Sequence, residues 1–105
     1  MHLDPGSMIS MQKSAQNLEV VKTPEKLTER ELARAIRDAI IAEEGAIKQY
    51  ESVVDATDDT KAKETLQDIA NEERVHVGEL QTLLNAMLKD EKGFLEDGEK
   101  EVSEK

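Results

Sequence analysis

Residues 69–80 read IANEERVHVGEL, and how this stretch is read decides the fold. Around it, apolar residues recur at helical spacing: Leu66, Ile69, Leu80, Leu83 and Met87. The two positions that continue the stripe through its middle are Glu73 and His76. An unpaired carboxylate inside a helix seam costs several kcal/mol. An acid and an imidazole placed there therefore require a partner.

Working outward from that stretch, the chain from Thr28 to about Asp90 contains no proline and is rich in Ala, Leu, Glu, Lys and Arg, all good helix formers. It is interrupted once, at DATDDTK, where Thr57, Asp58, Asp59 and Thr60 favour turns and helix N-caps over helix interiors. Two helices are predicted. The first starts at Thr28, with Thr28 and Glu31 as a capping box, and runs to about Ala56. The second runs from about Thr60 to about Asp90, with Gly93 as its stop. So short a connection folds them back as an antiparallel hairpin.

Each helix carries one seam. On the first it is Leu32, Ile36, Ile40, Glu43, Ile47, Tyr50, Val54; on the second it is Leu66, Ile69, Glu73, His76, Leu80, Leu83, Met87. Steps of three and four average about 3.5 residues, the periodicity of coiled coils and four-helix bundles. Ile41, Val53, Ala70, Val77, Leu84 and Leu88 lie beside the seams and widen each stripe beyond one partner's reach. A hairpin of this length cannot build a sizeable core alone. The expected fold is thus all-α: an antiparallel two-helix hairpin that dimerises into a four-helix bundle. The expected organisation is a leader and mobile arm over residues 1–27, the hairpin over 28–91, and a charged tail over 92–105. That tail is expected to be loose or to form a short C-terminal helix.

Composition excludes several functions. Acidic residues outnumber basic ones by 24 to 14, for a net charge of −10. This disfavours non-specific binding to nucleic acid or anionic membrane and concentrates cations. There is no cysteine, which removes disulfides and thiolate metal sites. No apolar run approaches the roughly 20 residues of a membrane span. The opening MHLDPGSM reads as a vector-derived leader, so His2 is set aside.

Glu43 lies about fifteen residues before the turn and Glu73 about fifteen after it, so the hairpin brings them to one height. Glu73 and His76, at i and i+3, point the same way. Four-helix carboxylate sites for two metals use one Glu from each of two helices and a Glu-x-x-His from each of the other two. One hairpin supplies half of that set, and a dimer completes it. Carboxylates with one imidazole per metal suit iron or manganese and admit zinc. Glu-x-x-His also occurs on solvated helix surfaces, and a polar layer that fixes register is the competing reading. Tyr50 follows Glu43 by seven residues on the same face, and its buried phenol would need a partner such as a ligand carboxylate. Glu44, Glu51, Glu72, Arg74 and Glu79 read as surface charges.

AIIAEEGAIKQY (residues 39–50) followed by LQDIANEERVHVGEL (residues 66–80) resembles the encapsulated ferritins, two-helix members of the ferritin-like superfamily. The resemblance implies a ferroxidase whose di-iron centre forms at a two-fold subunit interface, with Glu43, Glu73 and His76 as ligands and Tyr50 beside the metals. It implies homodimers arranged five to a ring as a decamer, housed in a cytoplasmic encapsulin nanocompartment where Fe(II) is oxidised for storage. Ala42 and Gly45 stand where some members carry outer acidic residues, and Gln49 where some carry tryptophan. The tail holds no segment resembling a shell-targeting peptide, and the helices resemble archaeal members fused to their shell protein, so an excised domain is expected. Two rivals remain: a rubrerythrin-like peroxide reductase fed electrons by another protein, and a non-enzymatic helical dimerisation module.

Overall fold

The computed structural model describes residues 25–105. The arm expected over residues 1–27 lies outside the described residues except for its last three. The described chain forms three helices: α1 over Glu29–Ala56, α2 over Thr60–Met87 and α3 over Glu91–Ser103. Thr28 caps α1 as its sequence signals require. Its hydroxyl accepts from the Glu31 N–H at 3.1 Å, and the Glu31 carboxylate accepts from the Thr28 N–H at 2.8 Å. Three residues, Thr57 to Asp59, separate α1 from α2. Asp59 caps α2 by accepting from the Ala62 N–H at 2.9 Å. Lys63 closes the turn from the other side, donating to the Val54 carbonyl at 2.7 Å. That bond satisfies an acceptor in the last turn of α1, where no intrahelical partner remains.

The two long helices run antiparallel, each about 42 Å long at 1.5 Å per residue. Lys63 meets Val54, Arg74 meets Glu51, His76 meets Glu43, and Leu84 shares a cluster with Ala33 and Ile36. The core is thin. Among the described residues only Ala33, Ile36, Ile47, Ala70 and Leu84 are buried. Ile40, Leu80, Met87 and Leu88 lean on this line without being enclosed.

Burial re-phases the predicted seams. Leu84 is fully buried, whereas its neighbour Leu83 is 48 % exposed. Ala70 is likewise sealed, while Ile69 is half-buried and His76 exposed. The line of α2 that faces α1 is therefore Leu66, Ala70, Glu73, Val77, Leu80 and Leu84. Ile69, His76 and Leu83 lie on its flank. On α1 the inner line begins at Ala33, and Leu32 is 42 % exposed. The cause is geometric: each apolar stripe is wide enough to serve two partners, and Ala70 allows closer helix approach than Ile69 would.

The C-terminal region departs from expectation in two ways. The second helix stops at Met87 and not near Asp90, with Leu88 extended at φ −104°, ψ 113°. Gly93 is no stop, because it lies within α3, and no described glycine has a positive φ. Residues 91–103 are continuous helix, so the short-helix form of the tail is the one adopted. An isolated 13-residue helix is marginal in water, and none of its residues is buried. Arg37 anchors its first turn, donating from Nη1 and Nη2 to Glu91 at 3.2 and 2.9 Å. That guanidinium holds the Glu91 carboxyl below the usual carboxylate range.

This phase of α2 has a direct test. Leu84→Ala removes a fully buried side chain and should destabilise the protein by about 2–5 kcal/mol. Val75→Ala, on the outer face of the same helix, should stay within about 0.5 kcal/mol of wild type. Urea unfolding followed by circular dichroism measures both.

Candidate metal centre

Halfway along the hairpin the apolar inner line is broken on both helices, by Glu43 on α1 and Glu73 on α2. Both are half-buried, with side chains 25 % and 18 % exposed. His76, one turn beyond Glu73, sits at the rim with its side chain 49 % exposed. The fold brings the three together: one donor atom from each lies within 4.8 Å of the others. The His76 Nδ1 is 2.8 Å from Glu73 Oε1 and 3.3 Å from Glu43 Oε2. Two carboxylates and an imidazole converging on one spot form a hard, anionic donor set of the kind that takes iron, manganese or zinc. The sequence placed His76 inside the seam; it stands instead at its open edge. Tyr50 is half-buried on the same line, but its hydroxyl makes no hydrogen bond among the described residues, so the expected bond to a ligand carboxylate is not formed.

Without metal, protons hold the cluster together. The hydrogen bond that the protonated Glu43 carboxyl donates to Glu73, aided by burial, raises Glu43 above its ordinary range. The same hydrogen bond, with help from His76, lowers Glu73. Glu73 in turn raises His76 by accepting its proton, and Glu43 and Glu79 add to the effect through their charge. Like charges this close cannot all remain ionised and unpaired. A divalent cation would replace those protons.

The surroundings of the cluster differ on its two sides. Arg74 and His76 project about 200° apart around α2. On the Arg74 side the helices are tied by polar bonds. Arg74 bridges to Glu51 of α1 and donates from Nη1 to Asn71 Oδ1 at 2.7 Å, and Gln67 donates to the same oxygen at 3.1 Å. In the sequence Arg74 and Glu51 read as surface charges, since nothing in their spacing marks a cross-helix pair. On the His76 side, among the described residues, the hairpin is joined by polar contact only through the cluster itself, His76 to Glu43. Leu32, Ala39, Ala46 and Val53 of α1 recur every seven residues there, facing out beside Ile69, His76 and Leu83 of α2, and none of the seven is buried. The cluster thus opens onto a face that is otherwise apolar. Among the described residues, no helix is long and apolar enough to cross a membrane.

Comparison with known proteins agrees with this architecture. The family model described as Rubrerythrin matches residues 6–104. The chain is 51 % identical to an encapsulin nanocompartment cargo protein, EncC, of Myxococcus xanthus over 53 residues, which is 50 % of this chain and 41 % of that one. It is 35 % identical to a ferritin-like–encapsulin shell fusion protein of Pyrococcus furiosus over 88 residues, 84 % of this chain and 26 % of the relative. The chain therefore spans less than half the length of either of these relatives. In three dimensions it is similar to the crystal structure of the encapsulated ferritin domain from Pyrococcus furiosus. The TM-score is 0.77 at 35 % identity, covering 82 % of this chain and 88 % of that one.

The protonation pattern sets the pH response of the cluster. Glu73 raises His76 above its ordinary value, and Glu73 with burial raises Glu43 above the ordinary carboxyl range. Any proton held on either group must leave before it can ligate a cation. Mn²⁺ affinity should therefore fall as pH drops through the His76 value, by about tenfold per pH unit for each proton displaced. Calorimetric titrations in two buffers of different ionisation enthalpy count the protons released.

Proposed function

Because this chain belongs to the rubrerythrin family, we propose that it handles iron as a ferroxidase, oxidising Fe(II) at a di-iron site completed by a second copy of the chain. The observation that carries this reading is the convergence of Glu43, Glu73 and His76 within 4.8 Å beside an uncovered apolar face. One hairpin provides two carboxylates and one imidazole, half of the donor set of a four-helix di-metal site. Dimerisation across the Leu32, Val53, Ile69 and Leu83 face buries apolar side chains and brings the second half-set into place.

In that dimer Glu43, Glu73 and His76 of each chain would hold the metals, which would supply the one-electron redox chemistry. Four carboxylates against two Fe(II) leave no net charge in the interface, which makes their burial tolerable. The acidic surface, with its net charge of −10, raises the local concentration of Fe(II). Either dioxygen or peroxide takes two electrons, one from each Fe(II), together with two protons. His76 and Glu43, whose hold on protons is strengthened in the metal-free cluster, give up any protons they carry when Fe(II) binds. Tyr50 lines the same face and helps exclude water. The relatives named for encapsulin cargo and encapsulin fusion support a placement inside an encapsulin shell. In this reading ferric product passes to the shell interior for storage, and five dimers form the working decamer.

The rubrerythrin match also keeps peroxide reduction in view. With no cysteine for a rubredoxin-type centre, that activity would draw electrons from another protein.

Native mass spectrometry before and after anaerobic Fe(II), followed by oxidation kinetics, tests the proposal. Wild type should form even-numbered oligomers retaining about one iron per chain, as linkage of metal binding to assembly requires. Glu73→Ala should retain no iron and lose more than about 100-fold in oxidation rate, since even outer-shell losses cost 10–100-fold. Equal assembly without metal and no retained iron would leave only a polar register layer. Sustained peroxide turnover coupled to NAD(P)H through a partner protein would instead favour the reductase.

A further inference from the structure

Three of the four arginines in this chain, Arg30, Arg34 and Arg37, fall within eight residues of α1. Every other basic residue except Arg74 is lysine. Steps of four and three put the three guanidinium groups on one helix face. They line a single recess of about 210 Å³, with Ala33 and Leu88 as its apolar floor, at the corner where α2 passes into α3. The recess shares no residue with the Glu43, Glu73 and His76 cluster.

We propose that this recess binds a tetrahedral oxyanion of the phosphate class, held by Arg30 and Arg34. Three like charges on one face repel one another, and only Arg37 is neutralised, by Glu91. Among the described residues, Arg30 and Arg34 meet no carboxylate within 4.0 Å. Two unmatched guanidinium groups balance one dianion, whereas a single carboxylate would leave one of them over.

The choice of arginine adds chemical content. Its planar fork grips two oxygens of one anion, which a lysine ammonium cannot do. Arg37 already displays this geometry toward the two oxygens of Glu91, at 3.2 and 2.9 Å. The half-buried Leu88 and buried Ala33 reduce competition from water at the base of the recess. The volume leaves room for an ion and several waters, at about 30 Å³ per water. Free phosphate and a phosphomonoester share this chemistry, and the two are separable by experiment.

The test is calorimetric titration of the full chain with inorganic phosphate, iron-free, at an ionic strength held constant with sodium chloride. Wild type should show one saturable site per chain. Arg30→Ala and Arg34→Ala should each weaken it about tenfold or more, the scale of a lost charge-assisted hydrogen bond. Arg34→Lys should also weaken it, because charge remains but the fork is lost, and Lys61→Ala should have no effect. Phenyl phosphate binding as tightly as phosphate would assign the recess to a phosphomonoester; weaker binding would assign it to the free ion. Absence of a saturable site would overturn the proposal. So would equal losses in Lys61→Ala, or full affinity in Arg34→Lys, since either would reduce the effect to bulk charge.

Discussion

A two-helix hairpin can enclose only the line along which its helices touch, and the rest of this structure follows from that limit. Five buried residues close the line between α1 and α2. A fully buried Leu contributes about 1.5–3 kcal/mol, and only Leu84 is enclosed to that degree. Both helices carry more apolar surface than the line can use. Much of the surplus lies on one side, in Leu32, Ala39, Ala46 and Val53 beside Ile69 and Leu83, while Ile41 and Val75 are exposed elsewhere. The opposite side is tied by Arg74, Glu51, Asn71 and Gln67. A hairpin finished with polar bonds on one flank and left apolar on the other is shaped to be covered on one side only.

The ionisable cluster gains its meaning from that asymmetry. Glu43 and Glu73 interrupt the inner line where a helix pair would ordinarily gain most from packing. The interruption costs stability in the isolated chain, partly offset by shared protons and by the His76 bond. His76 and the exposed edges of both carboxylates lie toward the apolar flank. The same surface that needs covering therefore holds the groups that need a counter-charge. In the proposed dimer, covering by a second copy with metal at its centre would meet both needs at once, and folding, assembly and iron binding would be linked equilibria.

Charge is distributed with comparable economy. The molecule is strongly acidic overall, yet three of its four arginines are concentrated at one corner, where Arg37 fastens α3 through Glu91. No residue of α3 is buried, so this ion pair and its continuity with α2 position it. Exposed ion pairs are usually worth less than about 1 kcal/mol. Anchoring of α3 is correspondingly light, and its Phe94, Leu95 and Val102 remain exposed.

Local signals decided much of this molecule. Thr28 with Glu31, the Thr57–Thr60 cluster and the steps of three and four determine two helices, their starts and their antiparallel return, because capping and turn chemistry depend on a few neighbouring residues. The same periodicity placed Glu43, Glu73 and His76 at one height, so the membership of the cluster was legible. Which of two adjacent apolar lines faces inward was not: Ile69, His76 and Leu83 compete with Ala70, Val77 and Leu84, and periodicity alone gives both a helical stripe. Only interhelical packing chose, sealing Ala70 and Leu84 and leaving His76 at the rim. The end of α2 at Met87 and the Arg37–Glu91 anchor were likewise hidden, and the sequence left open whether residues 91–103 are loose or a short helix. They depend on a pairing across 54 residues of chain, a distance over which local propensity carries no information.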